Sequence, residues 1–257
     1  MSLRVIKAAA FVQWRTSVRA PEHLMIILIS PFFSVIFLSI VDQAGRGDLM
    51  MSTVIGTGLM GIWFVAVYVA GGVILNERYM STLQLVLAAP RSFTLVVCGR
   101  ILPVVVIGAF SLVESGLIAH AAFGAPLTVK HPWMAGAAML TTVYATAATA
   151  TALSALFILS RNIHSLESIM TYPFYILGGV LFPVAILPEW VRPIARVFFL
   201  SWSSDLLRDA VTADNVDNVA QRFGAIIGLG TAALVIGILA VNYTVVRIRR
   251  TGAVSLA

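Results

Sequence analysis

The chain has 257 residues, of which 60% are hydrophobic and 11% charged, against roughly 25% charged in ordinary globular domains. A water-soluble protein of this composition would expose large apolar patches and aggregate, so a soluble domain is excluded. The formal charge of +6 is scattered along the chain rather than gathered in one patch, which argues against nucleic-acid binding.

Residues 1–21 open the chain. Val5, Ala9, Val12 and Thr16 fall on one helical face, with Arg4, Lys7, Arg15 and Arg19 spread around the others. This pattern predicts a helix lying in the inner headgroup region, with Trp14 at the interface and Pro21 ending it. The plainer alternative is a cytoplasmic extension of the first span.

Six apolar stretches follow, near 24–41, 52–75, 94–123, 133–159, 168–187 and 223–246. A hydrocarbon core about 30 Å thick is crossed by roughly 20 helical residues. Lipid offers no partner to a free peptide group, so spans are helices or closed barrels, and runs without period-two alternation exclude the barrel. The first run begins at Leu24 and is itself about as long as a span, so no cleavable signal peptide is expected. The expected fold is an all-α polytopic membrane protein of six transmembrane helices, forming one membrane domain over 1–257.

Charge placement predicts the orientation. With the N-terminus inside, Arg46, Lys130, Arg192, Arg196, Arg208 and Arg222 lie outside, and the remaining eleven of the 17 cations lie inside. Four of the outer six share one long loop, where charge counts less, so both termini are expected in the cytoplasm.

Between the second and third spans, residues 76–91 form a short polar-amphipathic segment that Pro90 stops. A short helix parallel to the membrane there would press Leu83, Leu85 or Leu87 on the bundle and offer Glu77, Arg78 and Gln84 to a cytoplasmic partner. The alternative is an interfacial turn that only joins two spans. In the third span, Glu114 lies about 21 Å along the helix from Arg100, in the outer half of the bilayer. An intramembrane carboxylate is a functional candidate, here for a cationic substrate. A hydrogen bond to a nearby serine or threonine, protonation, or pairing with an outer arginine are its other readings.

Small residues at Ala145–Ala152 and Gly224-x-x-x-Gly228 predict close packing of spans four and six. Cys98, the single cysteine, reads as a small buried apolar side chain. Pro183, Pro188 and Pro193 break any continuous helix after span five. Absent motifs narrow the function. The only lysines, Lys7 and Lys130, have no glycine-rich phosphate loop before them. His23, His120, His131 and His164 form no His-Glu-x-x-His pair, and there is no Gly-x-Ser-x-Gly elbow. No bound cofactor, no metal site and no catalytic residue is expected.

Two motifs carry a resemblance. Asn76-Glu77-Arg78-x-x-Ser81-Thr82-Leu83-Gln84-x-x-Leu87-x-x-Pro90 is followed by Gly99-Arg100-x-x-Pro103. Further on stands Gly178-Gly179-Val180-Leu181-Phe182-Pro183-x-x-x-Leu187-Pro188-Glu189-Trp190-x-x-Pro193, then Leu206-Leu207-Arg208. In order, spacing and topology these resemble the permease subunits of ABC type-2 transporters, the group that includes daunorubicin-type drug export permeases. Ser81 stands for that family's usual glycine, Gln84 for its glutamate, and Gly178 for its serine.

The resemblance implies that 76–91 is a coupling helix seated in a separate ATPase, with Glu77, Arg78 and Gln84 as polar contacts and Thr82, Leu83 and Leu87 packing beside them. Two ATPase subunits would bind ATP and magnesium, and a second permease copy or paralogue would complete the pathway among membrane lipids. Spans two and five would face each other across it, lined by Trp63, Phe64, Tyr68 and Tyr79 on one side and Tyr172, Phe174 and Tyr175 on the other. Aromatic residues in membrane helices also serve as packing or interface anchors. Residues 174–200 would form a re-entrant outer segment of two short helices, near 177–187 and 189–200, with Phe182, Pro183, Pro188 and Trp190 as an outer gate. The implied function is ATP-driven export of an amphiphilic small molecule, drug or lipid across a prokaryotic cell membrane. Export of polysaccharide or lipid-linked glycan is the related alternative. A lone channel or secondary carrier is the other, and the scarcity of buried ions argues against it.

Overall fold

The computed structural model describes residues 2–19, 21–79, 93–126, 128–160 and 162–251. Among them there is no strand. The helices are α1 (Ser2–Arg19), α2 (Pro21–Gln43), α3 (Met50–Tyr79), α4 (Phe93–Gly108), α5 (Phe110–Phe123), α6 (Pro132–Leu159), α7 (Ile163–Leu177), α8 (Arg192–Ala195), α9 (Phe199–Thr212) and α10 (Val219–Thr251). Among the described residues four stretches are long and apolar enough to cross a membrane: Gly47–Gly72, Leu95–Phe123, Pro132–Ile158 and Val219–Thr244. They match expected spans two, three, four and six to within a few residues. The first expected span, 24–41, falls within α2. The expected coupling segment lies outside the described residues from Met80 to Ser92, so Thr82, Leu83, Gln84 and Leu87 have no described position.

Helix α3 is the axis of the bundle. It packs against α2, α4, α5, α6, α7 and α9, and Leu59, Ile62, Trp63, Ala66 and Ala70 along it are buried. Glycines permit this crowding. A Cβ at Gly58 would sit 2.7 Å from the Leu112 backbone, and one at Gly61 2.6 Å from Ser111. In lipid no hydrophobic force draws helices together, so close backbone approach and interhelical hydrogen bonds hold them. Two such bonds join α3 to α5. Ser111 Oγ donates to the Gly58 carbonyl at 2.7 Å, and the Thr57 and Ser115 hydroxyls meet at 2.6 Å.

The outermost long helix, α10, packs mainly on α6. Its tight contacts are Gly230 on Ala145 and Gly237 on Ala152, where an added Cβ would lie 2.9 Å and 2.6 Å from the facing Cα atoms. Gly224 and Gly228, expected to make the contact, instead face open space. The small residues of α6 do pack closely, but on α10 the contact is made by other glycines than the spaced pair.

Helix α1 covers the segment where a helix is expected and packs along α4 with Gln13 buried, while Phe11, Val12 and Trp14 face outward.

Span five departs most. Helix α7 starts at Ile163 with Asn162 as N-cap, accepting from the Ser165 amide at 3.2 Å, and stops at Leu177, ten residues before the expected end. Gly179, with φ of +63°, supplies the left-handed residue that ends it. Fifteen residues make a helix about 22 Å long, too short to cross the hydrocarbon core alone. The two short helices expected near 177–187 and 189–200 are a single 3-10 turn, Val184–Ile186, and the four-residue α8. The prolines stop each before it grows. The longer helix, α9, comes afterwards.

Candidate functional site

An interrupted backbone needs partners for its freed carbonyls, and α9 supplies them. Ser204 Oγ donates to the Gly178 carbonyl at 3.0 Å; Arg208 donates to Gly179 at 2.6 Å and to Val180 at 2.8 Å. Ser204 and Arg208 are one helical turn apart, so one face of α9 caps three successive carbonyls at the end of α7. Arg208 is buried, and no hydrogen bond to its Nε occurs among the described residues. From the other side, Gly56 of α3 meets the Val180 carbonyl where a Cβ would come within 2.5 Å. Arg192 holds the next stretch, donating to Leu187 and Ala185, each at 2.9 Å. Arg196 pairs with Asp205 at 2.8 Å and covers the Trp202 ring, whose indole N–H donates to the Arg196 carbonyl.

Helices α3 and α7 are locked by reciprocal bonds. Tyr175 Oη donates to the Met60 carbonyl at 3.2 Å, and Trp63 Nε1 donates to Met170 at 3.4 Å. Trp63 is fully buried, stacked on Phe174 with centroids 4.4 Å apart, and Phe198 meets the far side of that ring edge-on.

Beside this lock lies a cavity of about 470 Å³. Ser30, Phe33 and Phe37 of α2 form one wall, and Thr57, Met60, Gly61, Phe64 and Val65 of α3 the back. Phe110, Ser111 and Glu114 come from α5, Thr171, Tyr172 and Tyr175 from α7, and Leu181 from the broken turn. The α5 residues line it together because positions 110, 111 and 114 share one helix face. Among the described lining residues Glu114 alone is a carboxylate. Its side chain is half-buried, and Ser30 of α2 lines the same cavity.

The residues proposed from sequence for the pathway therefore divide. Glu114, Tyr172 and Tyr175 are brought together around the cavity, with Phe64 opposite. Trp63 and Phe174 pack on each other instead, and Tyr68 stacks on Phe64 at 6.2 Å without lining it. Of the residues proposed for an outer gate, Phe182, Pro188 and Trp190 are exposed and Pro183 half-buried, leading into the 3-10 turn. Glu77 and Arg78 fall in the last turn of α3, a continuous helix to Tyr79. Ser30, Ser204 and Arg208 were not singled out as site residues. Arg208 was visible only as the end of the downstream motif, and Ser30 only as one serine in an apolar run. Among the described residues no cluster of metal-ligating side chains occurs.

Described residues that form helices and no strand, with four stretches among them fit to cross a membrane, an apolar cavity and an interrupted helix capped from within, make this a multi-pass membrane protein. The family model for the ABC-2 type transporter matches residues 4–212, most of the chain, and the protein belongs to that family. It is thus a transporter permease component, of a kind that generally works with ABC ATPase subunits and is not itself catalytic. Comparison with curated proteins returned no match.

Proposed function

We propose that this chain is the transmembrane permease subunit of an ATP-driven exporter that moves an amphiphilic small molecule, drug or lipid outward by alternating access. The cavity between α2, α3, α5 and α7 supports this most directly. Its volume of about 470 Å³ falls in the range of small-molecule sites, roughly 300–1,000 Å³, and its walls are mainly aromatic and aliphatic. Because it draws on α7 and on the broken turn, movement of either element reshapes it.

Power comes from separate ATPase subunits, two per transporter, which bind ATP and magnesium; this chain binds neither. The segment 76–91 is the coupling element, beginning in the last turn of α3, with Glu77, Arg78 and Gln84 contacting the ATPase and Leu83 and Leu87 packing against it. The domain crosses the membrane of a prokaryotic cell six times with both termini inside, and 174–200 dips into the outer leaflet as a gate carrying Phe182 and Trp190. A second permease copy or paralogue completes the pathway. The length of α3 favours this arrangement: 30 residues extend about 45 Å, so its inner end projects beyond a hydrocarbon core of about 30 Å.

Purification of the tagged chain from its native membrane tests the reading. An ABC ATPase should co-purify, and amphiphiles should stimulate its hydrolysis. Recovery of a chain that transports without nucleotide contradicts it.

A further inference from the structure

Glu114 stands out in a cavity otherwise built from neutral side chains. It lines the cavity where α5 packs on α2, with Ser30 among the neighbouring lining residues. No arginine or lysine pairs with it among the described residues; the ion pairs there, at Arg46, Lys130, Arg196 and Arg222, have other partners. A carboxylate placed at membrane depth without a protein counter-ion is costly, and such groups mark binding sites or pathways. Around it, Phe64, Phe110 and Tyr172 each leave a third or more of their surface uncovered. Aromatic faces attract cations within about 6 Å, most strongly where water is excluded.

We infer that the cavity selects amphiphilic cations, with Glu114 as counter-charge and Phe64, Phe110 and Tyr172 receiving the apolar body and the face of the cationic group. This rests on the proposal that the cavity belongs to the translocation path, and it adds a substrate class to that proposal. The ligand is a drug-sized molecule bearing one quaternary or protonated amine. A carboxylate-bearing amphiphile is disfavoured by like-charge repulsion at Glu114.

Two dansyl probes of the same shape test it on the full-length chain in lipid nanodiscs. One carries a trimethylammonium group, and the other the neutral 3,3-dimethylbutyl group. The cation should bind wild type about tenfold more tightly, a difference of about 1.4 kcal/mol. Glu114→Gln should abolish that preference by weakening the cation alone, and Glu114→Asp should keep part of it. Unchanged binding of the neutral probe controls for the fold. If Glu114→Gln leaves the preference intact, or weakens both probes equally, charge selection is overturned. In that case the amphiphile reading stands, because wild type still binds the neutral probe. If neither probe binds wild type, the selection and the cavity's role as a substrate site both fall.

Discussion

At the scale of single residues, Arg208 matters as a fork more than as a charge. Its two terminal nitrogens reach the carbonyls of Gly179 and Val180, which the end of α7 leaves without helical partners. Arg208→Gln should leave two buried carbonyls short of donors and lower stability by about 1–3 kcal/mol, seen as a drop in unfolding temperature in detergent. Amide exchange from Gly179 to Leu181 should quicken. Arg208→Lys should not rescue it, since one ammonium does not reproduce the planar fork. None of this was legible in the sequence. The partners of Arg208 are backbone atoms 28 and 29 residues away, and a backbone carbonyl carries no side-chain signature. Glu114 was legible as a lone carboxylate in an apolar run; that α2, α3 and α7 gather a cavity beside it was not, because it depends on how those helices pack.

At the scale of elements, small residues set the distance between helices. Gly230 and Gly237 are seven apart on α10, as are the facing Ala145 and Ala152 on α6, so two matched layers form nearly two turns apart. Gly237→Ala should drive a methyl group into the Ala152 backbone and destabilise by about 1–3 kcal/mol. Gly228→Ala, which meets open space, should be neutral in the same thermal unfolding assay. The sequence showed that spans four and six carry small residues; the face in use depends on the rotation of α10 about its axis, which composition does not encode. The loop before α6 is tied to the α9–α10 connection by Lys130, whose Nζ lies 2.6 Å from Asp214, and by the His131 amide on the Ala210 carbonyl. The hydrogen bond from Lys130, with its charge second, holds the Asp214 carboxyl below the ordinary 3.8. A carboxylate depressed in the folded state stabilises above its unfolded value and loses that contribution as pH falls through the lowered one. Loosening of this loop should therefore begin only below about pH 4, followed by a fluorophore at the loop, and Asp214→Asn should remove that pH dependence.

At the scale of the whole molecule, long periodic stretches were the most readable part. Spans two, three, four and six follow from uninterrupted apolar length, and the family from two spaced motifs. Span five was misjudged in extent because its apolar run continues through Gly178-Gly179 into residues that are equally apolar but not helical. Hydropathy measures burial in lipid and is blind to where helical hydrogen bonding stops. The result is a short helix, a capped break and a cavity beside it, opposite the long α3 that ends in Glu77 and Arg78. On the proposed function these form one device: a push on the inner end of α3 would pass through the Trp63–Phe174 stack and the Tyr175–Met60 bond to α7 and the cavity.

The most direct test reverses charge at that inner end. Wild type, Glu77→Lys and Arg78→Glu are reconstituted with the co-purifying ATPase in liposomes, and ATP hydrolysis and amphiphile transport are measured together at equal insertion. Both variants are expected still to hydrolyse ATP but to lose at least tenfold in transport and no longer respond to substrate. Transport at the wild-type rate from either variant, or from the chain with no ATPase present, would contradict that expectation.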